Sequence, residues 1–196
     1  ANKALLATHG EEIFQAAERN QVDIAFEAGV GGGIPILRSL REGLVANRIK
    51  SILGIMNGTT NFILSEMTNR GGSLEDVLKY AYKLGYAEAD PSLDLEGIDI
   101  AHKLAIILTL SYGTRVKLED IYTEGISRIT HLDVDIGFAK ELGYKIKLLA
   151  ISRDEGNKID ARIHPTMLPF DHLLSKVDGI FNAFYVFWAQ EYVPLF

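Results

Sequence analysis

The chain has no cysteine among its 196 residues, and that absence excludes three kinds of site. Without thiols there is no disulfide framework, no thiolate metal site and no cysteine nucleophile. The five histidines are dispersed, with no close ligand set such as HExxH, so we expect no zinc site. Since disulfides mark oxidising compartments, a chain without cysteine favours a cytoplasmic location.

The chain also lacks a basic stripe and a long apolar run. Its 20 lysine and arginine residues are scattered singly and its net charge is -6, so we expect no nucleic-acid partner. No apolar run reaches the roughly 18 residues of a membrane-spanning helix. The first residues, ANKALLATHGEE, carry acids where a signal peptide has an apolar core. We therefore expect no membrane partner.

What the chain does have is a hydrophobic share of 47 %, which is enough for a full core. Apolar periodicity predicts helices over residues 11–20, 35–41, 62–70, 74–84 and 95–110. The Thr and Asn residues of a loop over 57–61 are expected to cap the third of these helices, and Ser73 to cap the fourth. Alternation and β-rich composition predict strands over residues 22–26, 48–56, 144–152 and 158–167. Helices come first and antiparallel-looking strands last, which indicates an α+β fold.

Residues 29–33, GVGGG, form a glycine-rich segment that we predict to be a loop rather than a regular element. Such a loop lets the backbone come close to a ligand. The segment lacks the Lys-Ser/Thr ending of a P-loop and the spacing of a GxGxxG motif, so a phosphate cradle is not supported. A tight turn without a ligand is the simpler alternative.

The most informative segment covers residues 85–103, GYAEADPSLDLEGIDIAHK, where acids and a lysine surround a turn and the start of a helix. Asp90 precedes Pro91, and the residue before a proline avoids the helical region. We therefore expect Glu88, Asp90 and Asp94 on a non-helical approach to the helix.

A helix over residues 95–110 carries Glu96, Asp99 and Lys103, and it places the last two on one face. An exposed pair of this kind is a common surface ion pair worth only about 0.3 to 0.5 kcal/mol. This helix, however, is apolar nearly all round, which is typical of a buried helix. Buried charges need partners or a function, so we predict that Asp99 and Lys103 belong to a substrate site.

Five motifs, in this order, resemble the homoserine dehydrogenase family. They are ANKALLA, EAGVGGGIPI, GIMNGTTNFIL, the segment over residues 85–103, and HPTMLP at residues 164–169. Together they extend over the chain up to about Asn182. The resemblance implies a mixed β-sheet covered by helices, with a remnant of a Rossmann-type domain at the N-terminus. It also implies a homodimer that interconverts L-homoserine and L-aspartate 4-semialdehyde with NADP or NAD, in threonine, methionine and isoleucine biosynthesis.

The same resemblance implies roles for five residues. Lys103 would give the substrate oxygen its proton, and Asp99 would hold and tune Lys103. Glu88 would bind the substrate's amino group, and Asp94 would help to fix the amino-acid end. Lys3 would lie near the nicotinamide, where a cation favours the alkoxide-like oxygen of hydride transfer. Without the resemblance, the sequence favours the interpretation of Lys3 as an ordinary solvated lysine.

For the glycine loop, the resemblance implies a site for a monovalent cation, usually sodium. Its ligands would be the backbone carbonyls of Glu27, Val30, Gly32 and Ile34. Hard cations prefer oxygen ligands, and glycines let carbonyls converge without side-chain clashes.

The two ends of the chain depart from the family's pattern. No glycine fingerprint of a dinucleotide-binding domain occurs, and residues 184–196 are apolar where the family has a glycine-rich segment. We therefore predict that residues 1–30 end a dinucleotide-binding domain, that 31–183 form a catalytic and dimerisation domain, and that 184–196 are a divergent tail. An exposed aromatic tail promotes aggregation unless it pairs in a sheet or is covered by a partner.

Two functions stay open at this point. The chain is either the catalytic part of a homoserine dehydrogenase, with little activity alone, or a non-catalytic dimerisation or substrate-binding module of the same fold.

Overall fold

The computed structural model describes residues 2–129 and 131–189, and its centre is a five-stranded sheet of order β2-β4-β3-β1-β5. All neighbouring strands are antiparallel except β2 and β4, which are parallel. The prediction of an α+β fold with a mixed sheet is thereby confirmed. The strands are β1 (Ile49–Ile55), β2 (Tyr122–Thr123), β3 (Tyr144–Asp154), β4 (Ile159–Pro169) and β5 (Ala183–Trp188).

Eight α-helices are found among the described residues, together with shorter turns of helix. The helices are α1 (Lys3–Arg19), α2 (Ala28–Gly31), α3 (Ile36–Arg38), α4 (Gly58–Arg70), α5 (Leu74–Leu84), α6 (Ser92–Leu95), α7 (Ile98–Tyr112) and α8 (Leu132–Glu141). A π-helical turn, Ser39–Gly43, continues α3, and 3-10 turns cover Leu118–Asp120, Ile126–Arg128 and Leu173–Lys176. Within the described ranges, none of these helices combines the length and the apolar character needed to cross a membrane.

Local signals placed several elements correctly. Asn57 caps α4 by accepting from the Thr60 amide at 2.9 Å, and Ser73 caps α5 by accepting from the Asp76 amide at 3.2 Å. Helix α4 begins at Gly58, within the segment predicted as a loop over residues 57–61. The strands predicted over residues 144–152 and 158–167 pair as a long hairpin, β3 with β4.

Helix α7 lies in the middle of the main core, as its apolar sequence predicted. Ile100, Leu104 and Ile107 are fully buried and belong to the same cluster as Ile52 of β1. Leu6 of α1 is buried in that cluster too, and α1 packs against α7. The first residues of the chain are therefore brought next to the charged end of α7.

Residues 22–26 were predicted as a strand, and that prediction is wrong, because they form no regular structure. A strand needs a neighbour for its backbone hydrogen bonds, and the five strands of the described ranges pair among themselves. The preceding helix was predicted over residues 11–20. It begins earlier, at Lys3, with a kink at His9.

The glycine-rich segment also differs from its prediction as a loop. Residues Ala28–Gly31 form one helical turn. Gly32 then takes a φ of 61° and ends the turn. The open loop is limited to the residues between Gly32 and Pro35.

Helix α7 begins at Ile98 rather than at residue 95, so Glu96 lies before it. Gly97 has a φ of 81°, and a Cβ there would lie 3.2 Å from Thr123 and 3.3 Å from Ile163. This left-handed glycine separates α7 from the short helix α6. Asp94, predicted on a non-helical approach, lies in α6.

The first residues of the predicted divergent tail form strand β5. Residues 183–188 pair with β1 in antiparallel register, from Ala183 opposite Ile55 to Trp188 opposite Ile49. The aromatic residues at 184–188 are therefore part of the sheet. Residues 190–196 of the predicted tail lie outside the described ranges.

Candidate active site

Helix α7 places Asp99 and Lys103 one turn apart, and their side chains meet. Lys103 Nζ donates to Asp99 Oδ2 at 2.6 Å, and each side chain is only 13 % exposed. The alternative of an exposed surface ion pair is therefore wrong. A mostly buried pair is screened much less by water than a surface pair, so the two charges interact strongly.

The end of β1 holds Lys103 from a second side. Its Nζ also donates to the Met56 main-chain carbonyl at 2.6 Å. An ammonium group has three hydrogens, and within the described ranges these two bonds are the ones that Lys103 makes. The remaining hydrogen is available for a bound oxygen, which is the geometry that a general acid requires.

Lys3 reaches the same carboxylate from the first turn of α1. Its Nζ lies 3.3 Å from Asp99 Oδ1, and its side chain is 36 % exposed. Asn2 fixes this turn, because its side chain accepts from the Leu5 amide at 3.2 Å. Two lysines therefore flank Asp99, one at each oxygen, and Lys3 is not an isolated solvated lysine.

Lys103, Lys3 and the Asn57 amide together set the pKa of Asp99. Burial alone would raise the pKa of Asp99, but the Lys103 ammonium, the Asn57 amide and Lys3 outweigh burial and hold the pKa below its usual value. Asp99 is therefore an ionised acceptor at neutral pH. Burial lowers the pKa of His102 against the opposing effect of Asp99, so this neighbouring imidazole is neutral at pH 7.

Asp94 joins the cluster through a residue that was predicted only as a helix cap. Asn57 Nδ2 donates to Asp94 Oδ1 at 2.6 Å and to Asp99 Oδ2 at 2.9 Å. Asn57 itself is buried, with 5 % exposure. A capping asparagine in the sequence gives no sign of this second role, because its partners are 37 and 42 residues away.

Glu88 is exposed in the connection between α5 and α6. Among the described residues, no hydrogen bond or ion pair joins Glu88 to the cluster of Asp94, Asp99 and Lys103. Its neighbour Asp90 serves the local turn instead, because its carboxylate accepts from the Ser92 amide at 3.1 Å.

The predicted cation ligands have bonds of their own. Both carboxylate oxygens of Glu27 accept from the start of α3, from the Leu37 and Arg38 amides at 2.8 Å each. The Glu27 carbonyl accepts from the Val30 amide at 3.1 Å, and the Ile34 carbonyl from the Ile36 amide at 2.8 Å. The Glu27 carbonyl also accepts from the Gly31 amide at 3.5 Å, whereas the Ile34 carbonyl has a second lone pair. Neutral oxygens suit a hard monovalent cation.

No clustered group of acidic or histidine side chains suited to a metal ion occurs in residues 2–129 and 131–189. A cation at the glycine loop would therefore depend on backbone oxygens, as predicted from the resemblance. That ligand set stays a prediction.

Comparisons with known proteins agree on one family. The family model described as homoserine dehydrogenase matches residues 35–194, which extends beyond Asn182, where the resemblance was expected to end. The homoserine dehydrogenase of Neisseria gonorrhoeae is 55 % identical over 183 residues, which are 93 % of this chain and 42 % of the relative. The homoserine dehydrogenase of Bacillus subtilis is 51 % identical over 187 residues, which are 95 % of this chain and 43 % of the relative.

Solved structures give the same result. A homoserine dehydrogenase from Thiobacillus denitrificans superposes with a TM-score of 0.91 at 53 % identity, covering 95 % of this chain and 43 % of that chain. The Staphylococcus aureus homoserine dehydrogenase superposes with a TM-score of 0.82 at 41 % identity, covering 97 % of this chain and 44 % of that chain. The chain thus spans less than half the length of these relatives. By sequence and by fold, the chain belongs to the homoserine dehydrogenase family.

Proposed function

We propose that this chain is the substrate-binding and proton-transfer part of an NAD(P)-dependent homoserine dehydrogenase, which serves the biosynthesis of threonine, methionine and isoleucine. The observation that carries the proposal is the mostly buried cluster in which Lys103 and Lys3 flank the Asp99 carboxylate. Its location on a family fold makes homoserine and aspartate 4-semialdehyde the substrates to test.

Lys103 is the proton donor in this proposal. For reduction, the hydride that the aldehyde carbon receives would come from a bound nicotinamide. The electron pair of the carbonyl π bond moves to oxygen, and Lys103 Nζ gives that oxygen its proton. Asp99 stays ionised and keeps the Lys103 ammonium oriented through their 2.6 Å bond. Lys3, on the other oxygen of Asp99, favours the developing negative charge on the substrate oxygen.

Glu88 and Asp94 bind the amino-acid end of the substrate in the same proposal. Glu88 is exposed and makes no ion pair among the described residues, which suits a carboxylate that receives a substrate's ammonium group. Asp94 is half-buried beside Asp99 and has a second oxygen beyond the one that Asn57 occupies. The two acids would then fix the substrate at its amino group, away from the reacting carbon.

Two further parts of the proposal concern the cofactor and a cation. The sheet of the described ranges is not a parallel dinucleotide-binding sheet. For the cofactor we therefore assign one residue of this chain only, Lys3, which would lie at the nicotinamide end. We also propose that a sodium ion binds the carbonyls of Glu27, Val30, Gly32 and Ile34. The assignment of residues 1–30 to the end of a dinucleotide-binding domain is part of the same proposal.

A homodimer is proposed on the apolar face of the sheet that the helices leave open. On this face, Leu53 and Tyr185 are only partly buried, and Phe187 is 43 % exposed. Tyr185 and Phe187 also pack edge to face with ring centroids 4.5 Å apart. A sheet needs a second layer over an apolar face, and another copy of the chain supplies one of matching chemistry.

We expect Phe187→Lys to shift the chain from dimer to monomer, because a buried charge without a partner opposes association. Light scattering coupled to size-exclusion chromatography measures this shift directly. Phe138→Lys is the matched control, because Phe138 lies on α8 and is 60 % exposed. A dimer that survives Phe187→Lys would place the interface elsewhere.

The proposed function is tested with two assays on this polypeptide. In the first, aspartate 4-semialdehyde is supplied with NADPH or, separately, NADH, and we expect no or very weak turnover. The reason is that the described sheet offers no dinucleotide-binding framework. In the second, calorimetry follows homoserine binding, and we expect binding that Glu88→Gln weakens while Glu96→Gln, also exposed, does not.

Turnover, homoserine binding and the role of Lys103 distinguish the two candidate functions only together, because binding without turnover fits both. Turnover at rates ordinary for the family would contradict our expectation of weak activity and show that the chain suffices for catalysis. Absence of homoserine binding would remove the substrate-binding role and favour a dimerisation module. Binding without turnover, together with activity of a full-length relative that depends on Lys103, supports the proposal as stated.

A further inference from the structure

Asn57 lies where strand β1 passes into helix α4, at the point where both elements meet the charged cluster. The side chain is almost completely buried, with 5 % exposure. Its Nδ2 donates to Asp94 at 2.6 Å and to Asp99 at 2.9 Å. Its Oδ1 accepts from the Thr60 amide at 2.9 Å and from the Thr60 hydroxyl at 3.0 Å. Every hydrogen-bonding position of the amide is therefore used.

The orientation of this amide follows from its partners. A backbone N–H is only a donor, so the atom that faces the Thr60 amide must be the oxygen of Asn57. The nitrogen must then face the two acids, and Asp99 is ionised, so it accepts and does not donate. The helix cap thus determines the direction of the bonds to Asp94 and Asp99.

Asn57 and its neighbour Met56 together define where Lys103 and Asp99 lie. Asp99 Oδ2 is shared between Asn57 Nδ2 and Lys103 Nζ, while Oδ1 faces Lys3. The Lys103 ammonium is held from the other side by the carbonyl of Met56. Rotation of the Asp99 carboxylate would break the bond to Asn57, so the amide resists that rotation.

We propose that Asn57 is a positioning residue of the site: its amide nitrogen joins Asp94 to Asp99 and holds the Asp99 carboxylate where Lys103 and Lys3 both reach it. The amide acts through these acids and does not touch the reacting atoms. Its contribution to turnover rests on the proposed function of Lys103, whereas its effect on the acids does not.

An asparagine is well suited to this position because it is neutral and has two hydrogens on one atom. Two carboxylates side by side repel each other, and a shared donor reduces that repulsion without adding a charge. A serine in its place has one hydroxyl hydrogen and cannot bond both acids. An aspartate keeps the shape and the cap but has no donor, and it adds a third negative charge.

The test compares Asn57→Ser and Asn57→Asp with the native chain. Both variants retain an N-cap residue of similar quality, so the start of α4 is preserved. Carboxyl carbon NMR then follows the titration of Asp99 in the folded chain. We expect the pKa of Asp99 to rise in Asn57→Ser and to rise further in Asn57→Asp. The other titratable groups near Asp99, which are Lys3, Lys103, Asp94 and His102, are unchanged in both variants.

Ser73→Ala is the control, because it removes the N-cap of α5 while leaving the cluster intact. We expect Ser73→Ala to lose stability because α5 loses its cap, and we expect no change in the titration of Asp99. If Asn57→Ser behaves like Ser73→Ala, with Asp99 unchanged, Asn57 is only a helix cap and the proposal is overturned.

The second readout uses a full-length relative that carries the same asparagine. We expect Asn57→Ser to lower kcat about tenfold or more and to change KM for homoserine much less, because misplacement of the acid–base pair affects the chemical step. An unchanged kcat would overturn the positioning role. A relative without homoserine dehydrogenase activity would refute the proposed function, whereas the NMR titration would still decide how Asn57 acts on the acids.

Discussion

Replacement of Lys103 by alanine in a full-length relative is expected to lower kcat by about 10²- to 10⁴-fold, the usual contribution of a positioned acid–base group. The reason lies in the proposed role: Lys103 has one hydrogen left after its bonds to Asp99 and Met56, and in the proposal this hydrogen goes to the substrate oxygen. Alanine removes the donor completely. The Asp99 carboxylate keeps Asn57 and Lys3 as partners, so the fold should survive.

Steady-state kinetics and thermal unfolding together check this expectation. Lys79→Ala is the matched control, since Lys79 also pairs with an acid one turn earlier, Glu75, on an exposed face of α5. We expect the control to leave kcat unchanged. Lys103→Met, which retains the length of the side chain but not the ammonium, should behave like Lys103→Ala. Activity that survives both substitutions would show that the proton comes from another group.

The largest loss of stability is expected for Asp178→Asn, because it leaves a buried lysine without its counter-charge. Lys147 is 1 % exposed, and its Nζ donates to Asp178 at 2.9 Å, to Asn61 at 2.9 Å and to Ser65 at 3.1 Å. The Val177 carbonyl is a fourth acceptor, 2.7 Å away, so the three ammonium hydrogens are shared among four oxygens. Burial lowers the pKa of Lys147 while Asp178 opposes that effect, so the ammonium depends on this carboxylate.

We expect Asp178→Asn to reduce the free energy of unfolding by about 3 kcal/mol, the low end for a broken buried pair, because Asp178 is itself partly exposed. Lys147→Met should be milder, since it removes the buried charge and leaves Asp178 with Lys145 at 2.9 Å. Glu75→Gln, at an exposed pair, serves as the control and should change stability by only about 0.5 kcal/mol. Urea unfolding measures all three. Equal losses in Asp178→Asn and Glu75→Gln would contradict the expectation.

The same carboxylate predicts a pH dependence. Burial would raise the pKa of Asp178, but its bonds to Lys145 and Lys147 outweigh burial and lower the pKa to about 2. Because this folded-state pKa is below the unfolded value, the stabilisation is present above the unfolded pKa and is lost as the pH falls through the folded pKa. The native chain should therefore lose stability between about pH 4 and pH 2. Asp178→Asn should lack this part of the acid sensitivity.

Local sequence signals were sufficient for much of the fold. The caps at Asn57 and Ser73 and the alternation of β3 and β4 depend on residues close together in the chain, so they could be predicted. Residues 22–26 show the limit of such signals. Their composition favours a strand, but a strand exists only where another strand pairs with it.

The candidate site divides in the same way. The sequence by itself determined that Asp99 and Lys103 share one face of an apolar helix, since four residues make one helical turn. The resemblance placed Lys3 and Asp94 at the same site. Only the tertiary structure decided that Lys3 pairs with Asp99, that Asn57 bonds Asp94, and that Lys147 is buried against Asp178. These contacts connect residues far apart in the chain, and their geometry depends on how α1, α4 and α7 pack around β1. Helical periodicity is local and readable from the sequence, whereas the packing of elements is a property of the whole fold.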